Sequence, residues 1–236
     1  MTQRLWPILP AAGVGSRMQA DRPKQYLRLQ NRLLIDHTLS LMLSYPAFEQ
    51  LVLVLSAEDP YWPHSDFFND ARIIRADGGS ERCYSVLNGL NALADIAADD
   101  DWVFVHDVAR PCLLHSDLDK LLSELQAQPN AVGAILAAPV RDTMKRGTLQ
   151  NGVAQIDHTV ERKQLWHALT PQVFRYAELK QALMKCLADA VEVTDEASAL
   201  EYCGLLPLLV EGRADNIKVT RPEDLALAEF FLTQGK

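Results

Sequence analysis

The stretch "LWPILPAAGVGSRMQADRPKQ", Leu5 to Gln25, decides how the rest of the chain is read. Leu5 to Leu9 is a short apolar run, as expected of a strand covered on both faces of a sheet. Gly13 and Gly15 follow within a few residues, then Arg17 and Lys24, with Pro23 restraining the chain just before the lysine. Without a Cβ the glycines let backbone N–H groups approach a polyphosphate, and the two cations bring positive charge to the same loop. Two familiar phosphate loops fail on spacing. Lys24 has no glycine before it and no Ser or Thr after it, so the loop is not G-x-x-x-x-G-K-[ST]. Met18 stands where G-x-G-x-x-G needs its third glycine. A tight turn after a strand remains an open reading of the glycines taken alone.

Outward from this unit, short β-rich runs alternate with longer helical patterns. Strands are expected at Leu5–Leu9, Leu51–Ser56, Arg72–Ala76, Trp102–His106, Val132–Ala137 and Leu206–Val210. Leu34, Thr38, Leu41, Met42 and Tyr45 share one helical face, and "SVLNGLNALADIA" is helical. Thr220 and Glu223 make a capping-box pattern at the start of a C-terminal helix, with Pro222 in its first turn. This alternation predicts an α/β, Rossmann-like fold, a mostly parallel sheet with helices on both faces. Residues 1–236 are expected to form a single domain. Within it, 140–170 breaks the rhythm: "RGTLQNG" lies between two extended pieces, which predicts a protruding β-hairpin arm. An arm of this kind is poorly buried alone, so it is expected to pack against a second subunit.

Composition narrows the function. The 236 residues carry 23 basic against 31 acidic side chains, a formal charge of -8, so no nucleic-acid surface is expected and an anionic ligand must be met by a local cluster of cations. The longest apolar stretches, such as "AVGAILAAPV", are too short to span a bilayer, so no membrane association is expected. Pro7 and Pro10 interrupt the one segment that loosely mimics a secretory signal. Cys83, Cys112, Cys186 and Cys203 are widely spaced without metal-ligand spacing, which fits a reducing cytoplasm.

Further candidates lie after other strands. Asp107 in "VFVHDVARP" stands just beyond an apolar run, where open α/β sheets bind ligands, and a carboxylate there suits Mg²⁺; capping the next turn is its alternative role. Arg110 reads as a phosphate contact or a surface cation. "DGGSERCYSV" places Gly78, Gly79, Arg82 and Ser85 between a strand and a helix. Thr143, Arg162, Thr194 and Lys218 each have a structural alternative, Thr194 as a helix cap and Lys218 as a solvated cation. His106, His158 and His167 lack the pairing of a nucleophilic triad. Asp99 to Asp101 read as a solvated turn.

Taken together, "PAAGVGSRM", "PKQY", "GGSERCYSV", "VHDVARP", "APVRDTMK", "LWHALTPQ", "TDEASALE" and "EGRADNIKVTRPEDL" make the chain resemble the 2-C-methyl-D-erythritol 4-phosphate cytidylyltransferases, enzymes of the non-mevalonate route to isoprenoid precursors. The resemblance implies transfer of CMP from CTP to methylerythritol phosphate with release of pyrophosphate, aided by Mg²⁺ or another divalent cation. It implies that the loop from Pro10 through Gly13 and Gly15 to Lys24 cradles the triphosphate, that Arg17 and Lys24 stabilise the transition state, and that Asp107 contacts the metal. Ala11, Ala12, Gly79 and Ser85 would join the nucleotide pocket, with Ser80 departing from the residue that relatives often carry. Arg162 and Lys218 would position the acceptor, with Thr143, Arg110 and Thr194 nearby. The arm would exchange across a homodimer, carrying Thr143 and Arg162 to the partner's site.

A phosphate monoester is already largely anionic near neutral pH, so the reaction needs cations more than a general base. The alternative is a related polyol- or sugar-phosphate nucleotidyltransferase, such as one acting on ribitol 5-phosphate. A nicotinamide oxidoreductase is disfavoured by Met18, and a non-catalytic nucleotide sensor would use the same loop.

Overall fold

The computed structural model describes residues 3–13, 15–18 and 20–234; Val14 and Gln19 of the glycine loop lie outside them. In chain order the elements are β1 (Leu5–Pro10), β2 (Arg28–Leu29), β3 (Arg32–Leu33), α1 (Leu34–Ser44), β4 (Leu51–Leu55), β5 (Ile73–Asp77), α2 (Arg82–Asn91), β6 (Trp102–Val105), α3 (His115–Ala127), β7 (Gly133–Pro139), β8 (Met144–Gln150), β9 (Val153–Val160), β10 (Trp166–Arg175), α4 (Tyr176–Ala188), α5 (Glu196–Tyr202), β11 (Leu208–Glu211) and α6 (Pro222–Gln234). Seven strands form one sheet in the order β11-β7-β10-β6-β1-β4-β5. Its pairs are parallel except those of β10, which runs antiparallel between β6 and β7.

Alternation along the central strands divides the core in two. Leu51, Leu53, Leu55, Trp102 and Phe104 face a layer that contains α1 and α3. Val52, Val54, Val103 and Val105 face α2, α4 and α5. Every residue of β4 and β6 is buried, which is why these strands read as unbroken apolar runs. Each such side chain contributes about 2 kcal/mol by leaving water. Helices thus cover both faces, as the sequence pattern predicts.

The strand order also places the site. From β1 the chain crosses to β4 on one side and later to β6 on the other, so the sheet changes direction at β1. The loops after β1 and β6 therefore separate at their carboxyl ends and open a crevice between them.

Four expectations need correction. The stretch 140–170 is not all arm: β8 and β9 form the hairpin, while Trp166–Thr170 already belongs to β10 in the main sheet. Pro171 hides that strand from pattern reading, and the register indeed shifts between Ala168 and Gln172. Asp101 is buried rather than solvated, its carboxylate accepting from the N–H groups of Arg4 (2.8 Å) and Ala98 (2.9 Å) and from Trp6 Nε1 (2.8 Å). The cap of α6 is completed by Asp224, not Glu223: its Oδ2 accepts from Thr220 N, Thr220 Oγ1 and Arg221 N. The cap of α5 is Asp195, whose side chain accepts from Ser198 N, and Thr194 is one residue too early.

The hairpin turns through Asn151 (φ 51°) and Gly152 (φ 80°), both left-handed, the type I′ form whose twist matches that of the flanking strands. Leu149, Val153 and Ile156 on the arm are 78%, 60% and 68% exposed. That is a large apolar surface for one hairpin to leave in water.

Candidate active site

The glycine loop leaves the sheet with Ala11 still bound to it, its N–H donating to Val54 O at 2.8 Å. Buried Gln25 ties the far end of the loop back to the start by donating from Nε2 to Ala11 O at 2.7 Å. Met18, where a dinucleotide fingerprint would have glycine, is 4% exposed and packs into the core beneath the loop. Gly15 has φ 66°, and a Cβ there would lie 3.0 Å from Lys24 Cγ. Only glycine meets both demands, and its absent side chain is what lets Lys24 lie back along the loop. Lys24 Nζ donates to Val219 O at 2.9 Å. Burial, with Lys218 beside it, pushes the Lys24 ammonium down to about 8, against a partial opposing pull from Asp107. Arg17 is exposed in the single turn Ser16–Met18, and its charge adds to the pressure on Lys24.

Asp107 follows β6 and is ringed by cations. Its Oδ1 accepts from Arg82 Nε at 3.2 Å, its Oδ2 pairs with Lys218 Nζ at 2.7 Å, and Arg110 Nε stands 3.8 Å away. Burial alone would raise this carboxyl, but Arg82, Lys218 and Arg110 overcome it and hold the group far below the ordinary carboxylate range. Both Lys218 and Arg110 therefore depart from their structural alternatives, neither being a free surface cation. Asp107 closes the following turn only through its backbone, as Arg110 N donates to its carbonyl at 2.9 Å.

Beneath the ring lies a polar network that sequence reading missed. Asp107 N donates to Thr170 Oγ1 at 3.1 Å, and Thr170 Oγ1 meets His106 Nδ1 at 3.0 Å. His106 Nε2 lies 3.2 Å from Arg110 O, a carbonyl that can only accept. The proton of His106 is therefore on Nε2, and Nδ1 accepts from the Thr170 hydroxyl. Burial drives His106 down to about 4, so it is a neutral spacer rather than an acid or base. Asn216 completes the layer: Nδ2 donates to Thr170 O at 2.8 Å, and its own carbonyl accepts from Arg110 Nη1 at 2.7 Å.

Two adjoining clefts meet at Asp107. One, of about 380 Å³, is lined by Pro10, Ala11, Ala12, Gly13 and Lys24 on one side and by Gly79 and Ser85 on the other. The second, of about 240 Å³, is lined by Arg110, Thr170 and Thr194 among others. Arg82, Asp107 and Lys218 line both. Ser85 shapes the first cleft by accepting from Gly79 N at 3.0 Å, and a Cβ on Gly79 would come within 2.2 Å of Tyr84 Cβ.

Among the described residues, Gly15, Arg17, Thr143 and Arg162 line neither cleft. Thr143 and Arg162 sit exposed at the base of the arm, where Arg162 Nη1 donates to Arg141 O. Arg82 is one of the candidates in "DGGSERCYSV" and gains its partners only in the fold. Gln25 and Glu196 are site residues that the sequence does not single out, Glu196 carrying no signal beyond a charge in the first turn of a helix.

A larger hollow, about 840 Å³, opens near the start of β1 and is lined by Arg4, Trp102 and Arg175 among others. Those residues lie just before β1, at the amino end of β6 and at the far end of β10, away from Asp107 at the carboxyl end of β6. Size is therefore a poor guide here: the glycine loop and the cationic ring border the smaller paired clefts.

A mostly parallel sheet whose switch point joins a glycine loop, a cationic ring and two touching clefts defines a nucleotidyltransferase-type α/β protein. Residues 5–234 match the family described as IspD, 2-C-methyl-D-erythritol 4-phosphate cytidylyltransferase. The enzyme of that name from Vibrio atlanticus is 54% identical over 99% of this chain and 97% of its own length. Its counterpart from Photorhabdus laumondii is 55% identical over 96% of this chain and 94% of its own. The crystal structure of the Francisella tularensis cytidylyltransferase aligns with a TM-score of 0.83 at 34% identity, covering 97% of this chain and all of that one. The chain belongs to the 2-C-methyl-D-erythritol 4-phosphate cytidylyltransferase family, and its activity is CTP-dependent cytidylyl transfer to that phosphate in isoprenoid biosynthesis.

Proposed function

We propose that the larger of the paired clefts holds CTP and the smaller holds the phosphate of 2-C-methyl-D-erythritol 4-phosphate, so that the acceptor meets the α-phosphorus beside Asp107. The observation that carries this assignment is the lining: the glycine loop from Pro10 to Gly13 and Lys24 border the larger cleft and not the smaller, while Arg82, Asp107 and Lys218 line both and bring the two ligands together. In this reading the backbone of Ala12 and Gly13 cradles the triphosphate, and Gly15 serves it by leaving room for the Lys24 stem. Lys24 leaves Val219 O to meet the phosphates, and Arg17 closes over them from the exposed turn. Charge builds on the departing pyrophosphate, and fixed cations are worth most where charge develops. Lys218 and Arg110 fix the acceptor phosphate on the other side, with Thr194 at the rim.

Asp107 is an ionised carboxylate at the junction of the clefts, and to hold a divalent cation of the Mg²⁺ kind it would exchange the Lys218 ammonium, now 2.7 Å from Oδ2, for the ion. The remaining ligands would be substrate phosphates and water, the usual arrangement for Mg²⁺. When bound, such an ion neutralises the triphosphate and orients it for in-line displacement. Thr143 and Arg162 act from the arm of a second subunit in a homodimer, which also covers the exposed Leu149, Val153 and Ile156. No helix of the described residues is long and apolar enough to cross a membrane, and a cytoplasmic location agrees with the four free thiols.

The cleft assignment is tested with Thr194→Val, which borders only the smaller cleft. It should raise KM for the methylerythritol phosphate by about tenfold and leave KM for CTP unchanged. A rise confined to CTP would reverse the assignment. Following pyrophosphate with ribitol 5-phosphate as acceptor gives the complementary control, and the methylerythritol substrate should be preferred.

A further inference from the structure

Glu196 is fully buried, yet the catalytic arrangement above gives it nothing to do. It opens α5, where Asp195 already serves as the cap. Its two oxygens face the fork of Arg82: Oε2 accepts from Nη2 at 3.0 Å, and Oε1 pairs with Nη1. The third donor of the same guanidinium, Nε, reaches Asp107 Oδ1 at 3.2 Å. A guanidinium is a rigid plane, so fixing its fork also fixes the direction of its Nε. A buried carboxylate is costly unless it is paired, and this one is spent wholly on a residue that lines both clefts.

We propose that Glu196 is a positioning residue for cytidylyl transfer: by gripping the fork of Arg82 it holds the Asp107 carboxylate in one orientation at the junction of the two clefts. The proposal rests on the cleft assignment given above. Holding the fork has a second effect. With two carboxylates around it, Arg82 has little unsatisfied charge with which to draw a substrate phosphate into an unproductive pose. Arg82 thus supports Asp107, and the phosphates are left to Lys24, Lys218 and Arg110.

The test compares Glu196→Gln, Glu196→Asp and Arg82→Lys by steady-state kinetics well below the unfolding temperature, with thermal melts alongside. Glu196→Gln should lower kcat by about 10- to 100-fold while KM for both substrates stays within about threefold. Glu196→Asp keeps the charge and should recover part of the loss. Arg82→Lys keeps a cation but no fork; it should lose a similar factor, and adding Glu196→Gln to it should cost little more, because the two act as one unit. A folded Glu196→Gln variant with wild-type kcat, or full multiplicative losses in the double variant, would overturn the proposal. So would a lowered melting temperature with unchanged kcat, the mark of a purely structural pair. If Glu196→Gln does not fold, Arg82→Lys with near wild-type kcat still refutes the idea. Calorimetric CTP binding to Lys24→Ala separates the two readings, since retained affinity there undermines the cleft assignment and leaves the Glu196 kinetics to be judged alone.

Discussion

Raising the pH from 7 to 9 should weaken the enzyme's capture of CTP about tenfold, and Lys24 is the reason. Its Nζ is part-buried against Val219 O, with Lys218, Arg17 and Arg110 all contributing like charge, and it titrates at about 8 instead of the ordinary 10.5. Such a group is about 90% charged at pH 7 and about 10% charged at pH 9, so the competent fraction of free enzyme falls by that ratio. The measurement is kcat/KM for CTP from initial rates of pyrophosphate release, with the acceptor saturating and CTP far below KM. At saturating CTP the limb should move to higher pH, because a bound triphosphate favours the ammonium form. Lys24→Arg supplies the control: a guanidinium does not deprotonate in this range, so the limb near 8 should vanish whatever the absolute rate. A wild-type profile that stays flat through pH 9, or the same limb in Lys24→Arg, would refute the reasoning. The linked effect on stability has the opposite sense. Below about pH 8 both folded and unfolded Lys24 are charged and the native state carries the full penalty. Between about 8 and 10.5 the unfolded chain binds the extra proton, so stability should rise with pH, by at most about 3 kcal/mol.

Lys24→Ala should lower turnover by on the order of 10² or more, read from pyrophosphate release, because a fixed cation is lost where charge develops. Gly79→Ala places a Cβ 2.2 Å from Tyr84 Cβ, so the start of α2 must move; KM for CTP should rise by about tenfold, and an unchanged value would mean this loop does not border the nucleotide. Asp101→Ala removes an acceptor used by Arg4, Trp6 and Ala98 at the end of the sheet away from the site, and should cost about 3 kcal/mol in urea unfolding with kcat intact in folded protein. If arms are exchanged, mixing inactive Arg162→Ala and Lys24→Ala dimers with subunit exchange should restore about a quarter of wild-type activity, since half the dimers are hybrids with one intact site. No restoration after proven exchange would place Arg162 in the site of its own subunit.

Much of the architecture was legible because it is local. The apolar runs that became β1, β4 and β6 are buried on both faces, so their pattern needs no partner to be recognised. Asn151–Gly152 announces its hairpin because a type I′ turn has left-handed backbone at both positions, which Asn and Gly tolerate best. The reason for Gly15 was not local: a Cβ there would meet the folded-back Lys24 side chain, whereas Gly13 has open space around it. β10 was not legible, since Pro171 breaks its pattern and only pairing on both sides with β6 and β7 restores it as a strand. The misread caps are a milder case: Asp195 and Asp224 each lie one residue from the expected position, a shift that short polar side chains permit.

The sequence by itself determined the class of chemistry, since a glycine loop with two cations after a strand, joined by the other family motifs, has few readings. What only the tertiary structure decided is the state of the charges. Arg82 and Glu196 are 114 residues apart, and Arg82 and Asp107 are separated by 25. Nothing local shows that they meet, or that a glutamate at a helix start is buried. Ionisation and pairing depend on the dielectric and the neighbours that long-range folding assembles, whereas helix and strand periodicity depends on residues a few positions apart. The loop could be recognised from its own residues; the caged Asp107 and the depressed Lys24 exist only where the loops after β1, β5 and β6 and the segment before α6 come together.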